Sequence, residues 1–189
     1  MNKFRASYTI LSTWAKGDWE RAIKYYFKLE EFSTRQTEEG RILHEKWENE
    51  IKKTGCLPKV FGGSKLNDPK PEKKIVVQIY DWLELVGVID CLDVPEIHEF
   101  KSGKSKDSEG YSNDIQTGIY GVLATLDKRF VNVSKIHHYD QYSKKSDMSI
   151  VYITDEYLKK AFNYIETISS EMHSYFIKND LYKKFKKHV

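Results

Sequence analysis

The chain predicts an α/β fold: a central mixed β-sheet of about five strands flanked by helices. Three observations lead there. The first third, residues 5–55, repeats apolar residues at helical spacing. From Ile75 the period changes to that of strands, in three runs separated by turns. A helix, two more strands and a long amphipathic helix follow, so a βββαβ core sits between helical flanks, as in an α/β sandwich. At 189 residues, 40% hydrophobic and 31% charged, the chain reads as one domain, 1–189, large enough to bury a core.

The elements follow in order. "SYTILSTWAKGDWERAIKYYF" forms the opening helices, with Asp18 as the N-cap of the second. "STRQTEEGRILHEKWENEIKKTG" is a longer helix, capped by Ser33 or Thr34 and stopped by Gly55. Residues 56–74 hold three of the four prolines and read as a loop, with a short strand at 59–61. The core, 75–153, begins with the hairpin "IVVQIYD" and "ELVGVIDCLD", turned near Trp82. "EIHEFKSG" is the third strand, after a turn holding Pro95. "SNDIQTGIYGVLATL" is a helix opened by Ser112 or Asn113, and "VNVSKIHHYDQY" and "MSIVYIT" are strands. Thr154 caps the C-terminal helices, 154–189, whose stripe Leu158, Ala161, Phe162, Ile165, Ile168, Met172 and Phe176 faces the core.

Charge and cysteine content exclude several classes. The net charge of +3 is too small to prove a nucleic-acid partner. Only five of the 31 basic residues are arginine, however. Lysine is a point charge suited to backbone phosphates rather than to bidentate base reading. Lysines gather in "KSGKSK", which carries Lys101, Lys104 and Lys106, and in the C-terminal "YKKFKKHV". Cys56 and Cys91 form no CxxC pair. This argues against a disulfide scaffold, a zinc ribbon or a four-cysteine iron–sulfur cluster, and for a reducing, cytoplasmic compartment. No apolar run is long enough to span a bilayer, so no membrane partner is expected. "SGKS" echoes a phosphate-binding loop, but the glycine required five residues before Gly103 is His98.

The chemistry concentrates at the ends of two strands. Val86, Val88 and Asp90 share one face of a strand, so a carboxylate ends an apolar row. Glu99 lies on the next strand, about 4.8 Å away. Two carboxylates that close repel unless a cation lies between them, and Mg²⁺ or Mn²⁺ suits oxygen ligands. Lys101 shares the face of Glu99, with Phe100 on the other. It is placed to hold a phosphate oxygen or to steady charge developing on a phosphodiester. The same pair also fits an exposed cross-strand salt bridge, worth under about 1 kcal/mol. Gly40 and His44 share a helix face, and a mid-helix glycine asks for a packing reason. His44 is a metal ligand through a neutral imidazole, or a half-buried packing residue. Gln116 and Tyr120, also four apart, reach a phosphate or form an ordinary polar helix face.

Taken in order, Gly40-x-x-x-His44, Gly87-x-x-Asp90, Glu99-x-Lys101 and Gln116-x-x-x-Tyr120 resemble the RecB-like branch of the PD-(D/E)XK nuclease superfamily over about residues 5–125. The resemblance implies a restriction-endonuclease-like core. It implies a Mg²⁺- or Mn²⁺-dependent deoxyribonuclease, of exonuclease type, serving repair, recombination or the processing of viral or mobile-element DNA. By resemblance His44, Asp90 and Glu99 are metal ligands, with the backbone carbonyl of Phe100 as a further one. Asp90, Glu99 and Lys101 are catalytic. Gln116 and Tyr120 order the site and contact DNA, and Lys104 and Lys106 add backbone contacts. Glu48, one helical turn beyond His44, is placed to support a second ion. Some relatives clamp an iron–sulfur cluster with four cysteines; this chain lacks them, which implies a cluster-free member. Ring-forming relatives leave a homo-oligomer open. A nucleic-acid-binding module that keeps the fold without cutting is the alternative, and the intact set His44, Asp90, Glu99 and Lys101 argues against it.

Overall fold

The computed structural model of the chain describes residues 3–29, 35–102 and 114–185. Strand β1 (Phe4–Ala6) leads into helices α1 (Tyr8–Ala15), α2 (Trp19–Phe27) and α3 (Arg35–Thr54). A short 3-10 turn (Lys59–Phe61) precedes strands β2 (Lys70–Tyr80), β3 (Leu83–Asp93) and β4 (Glu96–Ser102). Helix α4 (Ile115–Leu126), strands β5 (Val133–Asp140) and β6 (Lys145–Tyr152), and helices α5 (Asp155–Lys178) and α6 (Leu181–Lys184) complete the order. The helix ends follow local chemistry. Asp18 accepts from the Arg21 N–H, and Thr154 accepts from the Tyr157 N–H. Asp155 and Glu156 meet the positive end of the α5 dipole. Gly55, with φ of +64°, ends α3.

The sheet is mixed and six-stranded. β3 pairs antiparallel with β2 along Leu83 to Leu92, which fills one of its edges. On the other edge β1 runs parallel to Leu83–Leu85, and β4 runs antiparallel to Cys91–Asp93. Only two edges exist, so β1 and β4 share one, and the stretch between their pairings forms a notch. β4 continues parallel to β5, with α4 as the crossover that parallel neighbours need, and β5 turns back into β6. The main core gathers Leu83, Leu85, Ile89, Leu92 and Ile97 of the sheet with α1, α2, α4 and α5. In α5, Ala161, Ile165, Met172 and Phe176 are buried, and Leu158, Phe162 and Ile168 pack beside them. A smaller cluster on the opposite face joins Trp47 and Ile51 of α3 to Leu57, Leu66, Cys91 and Phe100. Among the described residues, no helix is long and apolar enough to cross a membrane.

Several expectations are corrected. The sheet gains β1, whose three residues are too few to show an alternation; parallel pairing with β3 creates it. β2 starts at Lys70 rather than at 75. Its added stretch, KPEKK, has poor strand propensity, but the ladder to β3 holds it extended. Pro71 is tolerated because β2 pairs with β3 alone and so is an edge strand. Residues 59–61 form a 3-10 turn, not a strand. β6 starts at Lys145, carried by its hairpin with β5. Asp114 caps α4, its carboxylate accepting from the Gln116 N–H. The expected caps Ser33, Thr34, Ser112 and Asn113 lie outside the described residues.

Candidate active site

The notch on β3 positions the site. Ladder pairing between β3 and β4 reaches Cys91–His98 and stops. Beyond it the Phe100 N–H donates instead to Asp90 Oδ2 at 2.7 Å. Ile89 and Leu92 both belong to the main core and Cys91 to the smaller cluster, so strand alternation slips at Asp90. The Asp90 carboxylate meets the Phe100 N–H at the β3–β4 notch. Opposite it, the pairs Pro71–Cys91 and Lys73–Ile89 put Glu72 across from Asp90. Glu72 has φ of +49°, a left-handed backbone that non-glycine residues rarely adopt. Such strain persists where the surrounding structure enforces it, often at functional sites.

One half of the site is a cluster of ligand atoms. Those of His44, Glu72 and Asp90 all lie within 4.8 Å of one another. His44 Nδ1 stands 3.9 Å from Asp90 Oδ1. Gly40, one turn earlier, lets α3 close on β4: a Cβ there would stand 3.3 Å from Ser102 Oγ. Burial, with Lys101 adding, pushes the His44 pKa down, so the imidazole is neutral near pH 7 and able to ligate. Burial raises Asp90 to about 6, against the pull of Lys101 and the Phe100 N–H. Glu72 is also raised, by partial burial and then by Asp90 and Glu48. The pull of Lys101 on Asp90 does not offset its burial, and Asp90 in turn raises Glu72. Oxygen donors with one imidazole match Mg²⁺ or Mn²⁺, so the residues present fit such an ion.

The other half is closed by hydrogen bonds. Glu99 is 1% exposed. Its Oε1 accepts from Thr117 Oγ1 at 2.5 Å and from Ser134 Oγ at 3.1 Å. Its Oε2 faces Lys101 Nζ at 3.3 Å. Lys101 also donates to Gln116 Oε1 at 2.8 Å, and Gln116 Nε2 donates to the Tyr120 hydroxyl at 2.9 Å. Burial pulls the Lys101 pKa down, but Glu99, Asp90 and Asp114 outweigh it and hold the ammonium charged. Burial keeps the Tyr120 hydroxyl protonated. α4 reaches this close because Gly87 bears no side chain; a Cβ there would collide with Leu123 and press on Tyr120. Tyr8 of α1 borders this half, its hydroxyl raised first by burial and then by Asp114.

The structure thus brings His44 to Asp90, and Glu99 and Lys101 to Gln116 and Tyr120. Phe100 packs its ring with Trp47 and Phe61 on the opposite face, as alternation predicts. Glu99 is not one of the three clustered ligands; its carboxylate turns to Lys101 and α4. Lys104 and Lys106 lie outside the described residues. Four supporting residues escape sequence reasoning: Glu72, Thr117, Ser134 and Asp114. A glutamate in a lysine-rich, proline-containing stretch carries no periodic signal. Thr117 and Ser134 find Glu99 only through the crossover that sets β5 beside β4.

No family model and no curated protein sequence matches the chain. Solved structures do. A candidate exonuclease from Eubacterium rectale superposes with a TM-score of 0.64 at 14% identity, over 95% of this chain and 83% of that one. An alkaline exonuclease from Laribacter hongkongensis, LHK-Exo, superposes with a TM-score of 0.54 at 11% identity, over 95% and 94%. Its complex with dAMP gives 0.56 at 12% identity, over 97% and 94%. The chain therefore shares the fold of these structures, a restriction-endonuclease-like α/β fold.

Proposed function

We propose that the chain is a Mg²⁺- or Mn²⁺-dependent exonuclease that hydrolyses DNA. The observation that carries this is the convergence of His44, Glu72 and Asp90 beside the Glu99–Lys101–Gln116 chain. His44, Glu72 and Asp90 would hold the ion, with Glu99 Oε2 and the Phe100 carbonyl completing the donors. A bound divalent ion lowers the pKa of water and neutralises charge on a phosphodiester. Lys101 binds a non-bridging phosphate oxygen and steadies the charge that grows on it. Glu99 keeps that ammonium charged, and Gln116, held by Tyr120, fixes where it points. Lys104 and Lys106 engage the DNA backbone without reading sequence. The likeness of the fold to exonucleases, one of them solved with dAMP, supports this reading.

The test uses labelled linear and covalently closed DNA of the same sequence, with Mn²⁺, with Mg²⁺ and with EDTA. Loss of linear DNA alone, from its ends and stopped by EDTA, is expected. Cutting of closed circles would make the chain an endonuclease. Cleavage that persists in EDTA would remove the metal from the reading. Binding without any cleavage would leave a nucleic-acid-binding module.

A further inference from the structure

A second feature of the same face is a cavity of about 490 Å³ between β1, α1, α2 and β3. It lies within the size range of small-molecule binding sites. Lys3, Arg5 and Lys28 supply three cations against one carboxylate, Glu84. Glu84 accepts from Arg5 Nη2 at 3.0 Å and from Lys3 Nζ at 3.4 Å, which pins both cations at the rim. Ile10, Val86 and the Tyr25 ring add apolar surface. A pocket that offers cations and a ring together suits phosphate and base at once.

Its position relative to the clustered ligands gives it a role. On the β2–β3 ladder, Lys74 pairs with Val88, Val76 with Val86 and Gln78 with Glu84. Cross-strand partners share a face. Val76 is 48% and Val88 38% exposed, so among the described residues no helix covers this strip. Glu72 and Asp90 end the strip at one side, and the cavity ends it at the other. Val86 is four residues from Asp90, or about 13 Å at the rise of a strand. A stacked nucleic-acid strand advances about 3.4 Å per nucleotide, so the two ends are about four nucleotides apart.

We propose that this cavity holds the substrate strand about four nucleotides from the reacting phosphate, with Arg5 and Lys28 on a backbone phosphate and Tyr25 against a base. The proposal rests on the nuclease reading and adds a length requirement to it. Strands that reach both the ligand cluster and the cavity bind and turn over better than strands that reach only the first.

The experiment measures affinity of the full chain for a fluorescent single-stranded dodecanucleotide and for a dinucleotide. Ca²⁺ replaces the reactive ion, and the titration is repeated across a salt series. Lys28→Glu is expected to weaken dodecanucleotide binding about tenfold and to lower the salt slope by about one. Tyr25→Ala is expected to weaken it by a similar factor with the slope unchanged. Dinucleotide affinity stays within about twofold in both, and so does Ca²⁺ affinity by calorimetry. Lys28→Ala, a milder change, should fall between wild type and Lys28→Glu, and melting temperatures confirm that each variant is folded. Unchanged dodecanucleotide affinity in folded variants overturns the proposal, as does an equal loss for both lengths. If inorganic phosphate binds wild type alone while the dodecanucleotide binds wild type and the folded variants alike, the cavity is an anion site of another kind and the strand path is wrong. Wild-type protein that neither binds nor cuts DNA fails the nuclease reading itself; wild type that cuts while the variants match it fails the strand path alone.

Discussion

The two halves of the candidate site are built on opposite principles. His44, Glu72 and Asp90 are brought together with burial opposing their charges: both carboxylates are raised first by burial, Glu72 then by Asp90 and Asp90 by Glu99, and the imidazole is neutral. Glu99, Lys101, Gln116 and Tyr120 are brought together with their partners in place, as an ion pair between a buried carboxylate and a half-buried lysine inside a hydrogen-bonded chain. The first arrangement leaves Asp90 raised to about 6 despite the pull of Lys101. The second is held together within the folded chain by its own hydrogen bonds and ion pair. On the proposed reading, a site that takes up an ion and also holds a fixed lysine beside it uses both kinds of half, on separate strands. The notch between β3 and β4 provides them.

Substitutions should separate the halves. The largest effect is expected for Asp90→Asn. Metal affinity should fall about a hundredfold or more and cleavage should disappear. The metal-free variant should melt no lower than wild type, because Asn Oδ1 can still accept from the Phe100 N–H while a repulsive charge is gone. Calorimetry with Mn²⁺ and a thermal melt in EDTA measure both; a large drop in metal-free melting temperature would show that Asp90 serves the fold. Lys101→Met comes next, with single-turnover cleavage slower by about 10²–10³-fold and metal affinity within about twofold of wild type. A collapse of metal affinity in that variant would mean that the halves are one unit. Glu72→Gln is expected to weaken metal binding about tenfold, with cleavage largely restored by excess Mn²⁺. Failure of high metal to restore cleavage would give Glu72 a role beyond ligation. The smallest effect is that of Thr117→Val. It removes one of the two hydroxyl donors to Glu99 Oε1 and should cost about 1–2 kcal/mol of stability by urea titration, with metal affinity unchanged.

Much of the lysine half was legible from local spacing. Glu99 and Lys101 stand two apart on a strand and Gln116 and Tyr120 four apart on a helix, and each spacing fixes a shared face whatever surrounds it. The metal half was legible only in pieces. His44 and Asp90 stood out by type and position, and Gly40 announced a close approach that the structure shows against Ser102; the approach of Leu123 and Tyr120 to Gly87 is seen only in the structure. Glu72 did not stand out. Its stretch reads as loop because Lys, Glu and Pro disfavour strands, and only pairing with β3 draws it into the sheet. Its left-handed φ is imposed from outside the residue.

By itself the sequence determined the alternation of period along the chain, the helix caps at Asp18 and Thr154, the apolar stripe of α5 and the shared faces of Glu99 with Lys101 and of Gln116 with Tyr120. These follow from interactions within a few residues, so they are written locally. Tertiary structure decided that β1 and β4 share one edge of β3, that alternation slips at Asp90, that Thr117 and Ser134 bury Glu99, and that Glu72 joins His44 and Asp90. Each of these depends on which strand lies beside which. That choice is set by burying the main core against α1, α2, α4 and α5, a condition on the whole chain that no short stretch of it carries.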